Sequence, residues 1–307
     1  MKNTIDTPPK CTLKLRFTPS SSHGESLSFE ALRTSVLLSS SPQETGDTAR
    51  IRLHGPSLNN FFQMGMADAK TTQQTSIFSI LSQAEVQIEA YSENQSPTLI
   101  FHGKVSQCKS VLQGTERFLE VLAQSSLLYT TLPSAPLSYE NPVYASEILK
   151  SLCDTQQIQL QNNGFEALLQ PPFLLQGNFL QQVKNLVNAQ NGFFHFDTLQ
   201  KTLFVGKDEL LKPTDALKIP TDALYENVHF SDSFLSLSCL FQPNLQLGQS
   251  ITLQSNLLKA TDSSLLGESA YLPPWNGSWI LDSLKHELST EKTSSKWKTT
   301  LLAHRSA

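Results

Sequence analysis

The chain has 307 residues, which is more than one ordinary domain holds and enough for two or three. Hydrophobic residues make up 39% of it, so each part can bury a core, but charged residues make up only 16%. That is well below the roughly 25% usual in soluble proteins. The net charge is −4, and the sequence has no basic cluster. A dedicated DNA-binding role is therefore not expected, because such binding draws on Lys and Arg.

Cysteine usage and the N-terminus indicate folding in a reducing cytoplasm. The four cysteines are far apart in sequence, so they form neither a CxxC motif nor a zinc knuckle, and we expect four buried, reduced thiols. Residues 1–10 lack the apolar core of a secretion signal, and no apolar run approaches the roughly 20 residues of a membrane helix. The cysteines are Cys11, Cys108, Cys153 and Cys239.

Residues 1–130 predict a small antiparallel β-barrel. In its first strand Leu13, Leu15 and Phe17 alternate with polar side chains, as in a half-buried strand. About six such strands follow one another with short turns, which is typical of a small barrel or sandwich. The predicted strands are Cys11 to Phe17, Arg33 to Leu38, Ala49 to Leu53, Glu85 to Tyr91, Thr98 to Cys108 and Arg117 to Gln124.

A short helix and loop interrupt this barrel at about 57–82. Leu58, Phe61 and Met66 have helical spacing, whereas Thr71 to Ser76 is polar. Because the stretch Leu58 to Gln83 departs from the barrel pattern, we expect it to contact a partner.

Residues 131–212 predict a small α+β domain that begins at a linker, Pro133 to Pro142. One helix is expected over Pro142 to Cys153, with Pro142 in its first turn. A second is expected over Asn178 to Gln190, with Asn178 as its N-cap and Gly192 ending it. The apolar stripes of the two helices are Ala145, Ile148, Leu149 and Leu152, and Phe179, Val183, Leu186 and Val187.

The strands of this middle domain are short. Ile158 to Leu160 is a single strand, and Phe193 to Phe196 pairs with Thr202 to Val205 as a hairpin around Asp197 to Lys201.

Residues 213–307 return to the β pattern and predict a second barrel. Strands are expected at Phe234 to Phe241 and Gln249 to Gln254, before a long polar loop, Asn256 to Pro274. The chain ends in a hairpin, which consists of Ile280 to Leu288 and Lys296 to Ala303 joined by a polar loop. The loop Asn256 to Trp275 is the other expected contact element.

This terminal hairpin resembles the hairpin near residues 99–124. The first and second strands are 17 residues apart in both copies, which suggests two related barrels flanking one α+β insert. The alignment pairs Phe101 with Ile280, Val105 with Leu284, Phe118 with Trp297 and Leu122 with Leu301.

No residue is assigned a catalytic, cofactor-binding or metal-binding role. The histidines do not form HxH, HxxxH or HExxH, and neither a GxSxG elbow nor a Walker loop occurs. Several acidic residues sit in or beside turns, where Asp and Glu are ordinarily turn residues or caps, although hydrolysis of a glycoside could use two of them. The histidines are His23, His54, His102, His195, His229, His286 and His304, and the acids are Asp197, Asp215, Asp222, Glu226 and Asp232.

The three tryptophans have two interpretations. They could stack on sugars, as in a carbohydrate-binding module, or Trp279 and Trp297 could pair across the terminal hairpin and fill a core. The second interpretation is preferred, and it leaves Trp275 as the exposed candidate.

The chain resembles the baseplate hub proteins of tailed phages. The stretch Asn178 to Gln190, then Phe193 to Asp197 and Thr202 to Lys207, resembles their middle domain. The C-terminal part, with Gly277 to Leu288 followed by Trp297 to Leu301, is similar to the family too. The resemblance covers roughly residues 130–307 by motif, and the N-terminal barrel by architecture.

The resemblance implies a structural protein of the virion that is assembled in the host cytoplasm. Family members are homotrimers at the centre of the baseplate, where two related barrels per subunit form a ring of six. This ring joins the sixfold tail tube, or a distal tail protein, to the threefold spike or fibre and to other baseplate proteins. DNA then passes only as cargo, so we expect negligible binding of duplex DNA. The alternatives are a carbohydrate-binding or peptidoglycan-cleaving tail protein and the hub of a secretion or contractile injection machine.

Overall fold

The chain divides into two compact units, each assembled from separate stretches of sequence. The first comprises 1–37, 47–128 and 288–296, and the second comprises the remainder. The computed structural model describes residues 11–19, 26–30, 32–41, 46–55, 81, 84–92, 96–130, 132–207, 216–219, 223–225, 228–230, 234–253, 277–290 and 297–305.

Several predicted features lie outside the described residues. They include the insert at 57–82 apart from the buried Leu81, the loop Asn256 to Pro274, and Trp275. His23, Asp215, Asp222, Glu226 and Asp232 lie outside them as well.

The first unit is built on an antiparallel sheet. Its strands lie in the order β3-β4-β7-β6-β5-β1-β2, so that β7 occupies the middle between β4 and β6. A short 3-10 helix, Ser126–Leu128, follows β7. The strands are β1 (Cys11–Thr18), β2 (Leu27–Glu30), β3 (Arg33–Ser40), β4 (Thr48–His54), β5 (Glu85–Ser92), β6 (Thr98–Gln113) and β7 (Glu116–Gln124).

The core of this unit is formed by alternate residues of its strands, as the sequence pattern predicts. Side chains on neighbouring residues of a strand point to opposite faces, so every second residue reaches the interior. Leu13, Leu15 and Phe17 of β1 are buried, as are the matching positions of β4, β5 and β7. Those positions are Ile51, Leu53, Val86, Ile88, Leu119, Val121 and Ala123.

Strand β6 is longer than its sequence suggests. The prediction ended it at Cys108, but the strand runs to Gln113, and Gln113 pairs with Glu116 of β7. Gly114 in the connecting turn has φ of 62°, a left-handed conformation that glycine adopts without strain. Residues 109–113 carry no apolar alternation, so it is the pairing with β7 that extends the strand.

In the second unit, the middle stretch forms a small α+β segment around two helices, α1 (Ala145–Thr155) and α2 (Phe179–Asn188). A three-stranded sheet, β10-β14-β13, accompanies them, with β10 parallel and β13 antiparallel to β14. Both predicted helical stripes are buried in one core. The sheet strands are β10 (Gln159–Asn163), β13 (Phe193–Asp197) and β14 (Thr202–Gly206).

Two small ribbons also belong to this segment, and the sequence pattern did not predict them. Strand β8 (Leu137–Tyr139) pairs with β12 (Phe173–Leu175), and β9 (Val143–Tyr144) pairs with β11 (Leu168–Leu169). The stretch predicted as a linker therefore contains a strand. Helix α1 starts at Ala145 rather than Pro142, because Val143 and Tyr144 are extended and paired.

Helix α2 ends by packing as well as by backbone conformation. Asn191 takes the left-handed conformation, with φ of 54°, so Gly192 is not needed for that purpose. A Cβ on Gly192 would lie 2.6 Å from the ring of Phe165, which is buried in the core. Gly192 is thus required by the close approach of the Phe165 ring.

The C-terminal stretch of the second unit is again β-structure. Strand β17 pairs with β20, β20 lies beside β19, and β18 pairs with β19. Strand β15 joins β18 in parallel, which the sequence did not predict. The strands are β15 (Leu217–Ile219), β16 (His229–Phe230), β17 (Phe234–Leu240), β18 (Ser250–Leu253), β19 (Gly277–Ser289) and β20 (Trp297–Arg305).

The fold class is confirmed as mainly β with an α+β segment between two β-rich stretches. The division at 1–130, 131–212 and 213–307 stays a prediction. Among the described residues, no helix is long and apolar enough to cross a membrane.

The repeat stays a prediction, although the residues that it aligns in the first strand of each hairpin are all buried. These are Phe101, Val105, Ile280 and Leu284. It is one residue out of phase in the second strand, where Phe118 is buried but its counterpart Trp297 is partly exposed.

When the second strands of the two hairpins are aligned with an offset of one more residue, buried residues are paired with buried residues. This offset aligns Val121 with Leu301 and Ala123 with Ala303, and all four are buried. A shift of one residue moves a side chain to the other face of a strand, so equal spacing in sequence was not equal placement in the sheet.

The N-cap of α2 gives the first prediction. The side chain of Asn178 accepts a hydrogen bond from the Gln181 amide at 2.9 Å, and Gln181 Oε1 accepts from the Asn178 amide at 3.1 Å. Asn178→Ala removes one half of this capping box and should lower the stability of the segment by about 1 kcal/mol. The measurement is denaturant unfolding together with hydrogen exchange of the α2 amides.

Asn185→Ala is the matched control, because Asn185 is exposed within the same helix. Alanine is the better helix former, so this change should be neutral or stabilising by up to about 0.5 kcal/mol. Equal destabilisation by both changes would contradict the capping role.

Candidate interaction surfaces

The terminal hairpin combines a buried face with a polar outer face. Trp279 is fully buried in the core of the C-terminal stretch, with Leu281, Leu284 and Leu301. Phe204 from β14 joins this core. Burying a large apolar side chain contributes about 1.5–3 kcal/mol, so the hairpin is a major stabilising element of the unit.

The prediction that Trp279 and Trp297 pair across the hairpin is wrong. Trp279 lies near the start of β19, beside Arg305 at the end of β20, whose guanidinium carbon lies 5.7 Å from its ring centroid. Trp297 starts β20, next to the connecting loop. In an antiparallel hairpin these two positions lie at opposite ends, separated by roughly 30 Å of strand.

Trp297 instead belongs to a cluster around Phe241. The Phe241 ring stands edge-on to Trp297 at 5.4 Å and to His286 at 5.3 Å. His286 Nδ1 lies 2.9 Å from the hydroxyl of Thr299, and burial lowers the pKa of His286 to about 4. His286 is therefore neutral at pH 7 and packs as part of the hairpin, as expected for a structural histidine.

The outer face of the second unit carries ion pairs among exposed apolar side chains. His304 Nδ1 lies 2.7 Å from Asp282, and Glu287 lies 3.0 Å from Lys285. The exposed apolar residues on β17 and β20 are Phe234, Leu240 and Leu302. In the middle segment Tyr144, Leu168 and Leu174 are also exposed.

The first unit holds a charged cluster around Glu120 of β7. Its carboxylate is 3% exposed and receives Arg50 at 2.7 Å, Arg52 at 3.1 Å and Lys109 at 3.1 Å. Burial by itself would raise the pKa of Glu120, but hydrogen bonds from Arg50, Lys109 and Arg52 lower it overall. The carboxylate is thus ionised at neutral pH.

The absence of a basic cluster from the sequence therefore does not keep basic side chains apart in the sheet. Arg50 and Arg52 are two residues apart on β4, so they share a face, and β6 brings Lys109 to the same row. The alternation of Arg50 and Arg52 was visible in the sequence. The contribution of Lys109 was not, because it depends on the pairing of β6 with β7.

The row next to this cluster is aromatic. Phe118 is buried under Arg52, whose guanidinium carbon lies 5.2 Å from its ring centroid, and under His54, whose ring lies 5.0 Å away. Arg33 donates to Glu116 at 2.9 Å, which lowers the pKa of that carboxyl. The charged cluster, the Phe118 row and the Glu116 pair follow one another along β7.

Some of the sequence-based candidates for chemistry can be checked in the part of the chain that the structure describes. No group of three or more His, Cys, Asp or Glu side chains there could hold a metal ion. Asp197 is a turn residue, as predicted, because its carboxylate accepts the amides of Leu199 and Gln200. Trp279 is buried and offers no face to a sugar.

Cys108, Cys153 and Cys239 are free thiols of low reactivity. Cys153 and Cys239 are buried, and burial raises their pKa values to about 12 and about 11. Cys108 differs from the prediction because it is only partly buried, although burial still raises its pKa to about 12. A thiol with such a pKa carries almost no thiolate at neutral pH.

The lowered pKa of His286 gives the second prediction. The unfolded state takes up a proton near pH 6.5, whereas the folded state resists it until about pH 4. Stability is therefore complete above pH 6.5 and should fall by on the order of 1–3 kcal/mol as pH drops to 4. His286→Gln should flatten this slope in urea unfolding measured from pH 4 to 8.

His229→Gln provides the comparison, because His229 is exposed on β16. His229→Gln should leave the pH dependence of the free energy of unfolding as it is in the unsubstituted protein. An undiminished slope in His286→Gln would show that other groups cause the pH dependence.

The Glu120 cluster gives the third prediction. Glu120→Gln leaves three cations without their carboxylate and should lower stability at pH 7 by about 1–2 kcal/mol, discounted because the cations are partly exposed. The lowered pKa means that this stabilisation exists above the unfolded pKa, near 4.5, and is lost as pH falls below it. The difference between the two proteins should therefore shrink at acidic pH.

Glu116→Gln is the matched control on the same strand. Its ion pair with Arg33 is exposed, so its loss should change stability much less than the loss of the Glu120 carboxylate does. If Glu120→Gln costs no more than Glu116→Gln, the cluster does not stabilise the sheet.

Comparison with known proteins supports the fold over nearly the whole chain. No protein-family model matches the sequence, and no curated protein matches it. A tail protein from Neisseria meningitidis MC58 is similar in structure, with a TM-score of 0.56 and 10% identity over 96% of each chain. The 43 kDa tail protein of prophage MuSo2 from Shewanella oneidensis has a TM-score of 0.54 and 9% identity over 97% of each chain.

A secretion protein is similar to the same degree. The E. coli c3393 protein, a component of the type VI secretion system with structural similarity to the T4 tail proteins gp27 and gp5, gives a TM-score of 0.57 and 12% identity. The match covers 95% of this chain and 77% of that one. The chain therefore has the fold that phage tail proteins share with this secretion component, as its resemblance to the baseplate hub family implied.

Proposed function

We propose that this protein is the central hub of a phage tail baseplate. The observation that carries the proposal is the whole-chain match to two phage tail proteins, at 96–97% coverage of both chains. A match of that extent includes both β-rich stretches and the α+β segment between them. In this role the protein is a homotrimer in the virion, assembled in the host cytoplasm, that joins the sixfold tube to the threefold spike or fibre.

The surface of the chain supports a structural role. Charged residues make up only 16% of the sequence, so partners can cover much of the surface without removing many ions from water. Exposed apolar side chains occur on the C-terminal stretch of the second unit, for example Phe234 and Leu302, and on its α+β segment, for example Leu174. The insert Leu58 to Gln83 and the loop Asn256 to Trp275 remain the proposed contact elements.

The two hairpins support the symmetry of the proposal. Hairpins β6–β7 and β19–β20 bury corresponding positions along their first strands and, with the one-residue shift, along their second strands. Three chains would then offer six similar modules to a sixfold tube, while the trimer itself keeps threefold symmetry for the spike. DNA passes through as cargo in this arrangement.

The fourth prediction concerns assembly. We expect a trimer of three times 34.1 kDa by light scattering at high concentration, and a ring in electron micrographs when the tail-tube or distal tail protein of the same particle is added. The ring assay is the more decisive measurement, because a hub can require its tube or distal tail partner in order to trimerise.

A destabilised variant checks that the ring needs the folded hairpin. Trp279→Ala should cost about 3–5 kcal/mol and abolish ring formation. A strict monomer at every concentration, together with no ring in the presence of the tube protein, would overturn the hub proposal.

A hub of a secretion or contractile injection machine is the second candidate. It is favoured by the similarity to the type VI component, which equals that to the phage proteins. The neighbouring genes distinguish the two: head and packaging genes indicate a virion, and a contractile sheath without them indicates an injection machine.

A non-enzymatic role belongs to the same proposal. It is supported by buried thiols of raised pKa, a neutral structural His286 and the structural neighbours, which are tail proteins. A cell-wall zymogram should show no clearing, and clearing by the purified protein would instead establish a peptidoglycan-cleaving tail protein.

A further inference from the structure

The Glu120 cluster has a geometry that structural support alone does not require. Arg52, Glu120 and Lys109 form one row across β4, β7 and β6, and Arg50 lies one row further along β4. The three cations therefore surround the carboxylate from two strands, at spacings of roughly 5–10 Å set by the sheet.

The cluster is not electrically balanced. Three cations face one carboxylate, so it keeps an excess of two positive charges. The side chains of Arg50 and Lys109 are each 48% exposed and that of Arg52 is 39% exposed, whereas Glu120 is 3% exposed. The anion lies beneath, and the cations face the solvent.

The cations are also held in position. Arg50 and Arg52 each use Nε on Glu120, at 2.9 Å and 3.1 Å, and a guanidinium has five N–H donors in all. The stacking of Arg52 over Phe118 fixes it further. Donors that are fixed before binding lose less conformational entropy when an anion arrives.

We propose that the surface formed by Arg50, Arg52 and Lys109 is a docking site for an acidic segment of a partner protein. Two carboxylates on alternate residues of an extended segment lie about 7 Å apart, which matches the spacing of cations on this sheet. Their two charges complement the excess of the cluster.

A polyanion such as duplex DNA fits this surface less well. Glu116 lies beyond the Phe118 row on β7, at 53% side-chain exposure. A phosphate backbone that continued along β7 would meet this carboxylate, whereas a short acidic segment covers only the cluster. The docking site does not depend on the hub role or on trimer formation.

The test is fluorescence anisotropy of the full chain with a labelled hexaglutamate peptide, with hexaglutamine as the neutral probe. Hexaglutamate should bind, and its affinity should fall as salt is raised from 50 to 300 mM because the contacts are exposed ion pairs. Arg50→Gln should weaken binding roughly three- to fivefold, since Arg52 and Lys109 still hold Glu120. Lys109→Gln should act similarly.

Arg16→Gln is the matched control, because Arg16 is an exposed arginine on β1 of the same sheet, away from the cluster. It should leave the affinity unchanged. The proposal is overturned if hexaglutamate binds no better than hexaglutamine, or if Arg16→Gln loses as much affinity as Arg50→Gln.

A 12-base-pair duplex is the second probe. Tighter binding of this DNA than of hexaglutamate, lost in Arg50→Gln, would assign the cluster to phosphate and overturn the protein partner. Thermal melting of each variant checks its fold, and Lys109→Gln takes the place of Arg50→Gln if the latter does not fold.

Discussion

The alternation of side chains along paired strands is the constraint on which the rest of this protein depends. It buries Leu13, Leu15 and Phe17 in the first unit and Leu235, Leu237 and Cys239 in the second. Each such burial contributes about 1.5–3 kcal/mol for a large apolar side chain, so the register of every strand is strongly fixed. The same alternation delivers the polar residues between them to the opposite face. The same two-residue period thus determines which side chains form the core and which form the surface.

The consequences for the surface differ between the two units. In the first unit, strand pairing gathers Arg50, Arg52 and Lys109 over a carboxylate that burial alone would tend to protonate. In the second unit, the outward positions of β17 and β20 leave Phe234, Leu240 and Leu302 exposed beside a His304–Asp282 pair. One surface offers fixed positive charge and the other offers apolar area. In the proposed hub, both surfaces would be available to protein partners.

Three kinds of group that could have carried chemistry have structural contacts in this protein. His286 is kept neutral by burial and contacts Thr299 and Phe241, and the Cys153 and Cys239 thiols have raised pKa values. Asp197 closes a turn. The solved structures that share this fold are only 9–12% identical to the chain, because a core built on buried alternation tolerates many apolar substitutions that keep the period and the volume.

The sequence by itself determined the mainly β class, both helices with their buried stripes, the Asn178 cap and the two hairpins, because these follow from local periodicity and capping. The tertiary structure alone decided what depends on partners distant in sequence. It extended β6 to Gln113 and placed strand β8 within the predicted linker. It also put Trp279 and Trp297 at opposite ends of their hairpin, and it placed the second strands of the two hairpins one residue out of phase in the predicted repeat. It also joined Lys109 to Arg50 and Arg52, so that a chain with no run of basic residues has a basic cluster. Periodicity specifies which face a side chain takes, but only strand pairing specifies its neighbour across the sheet.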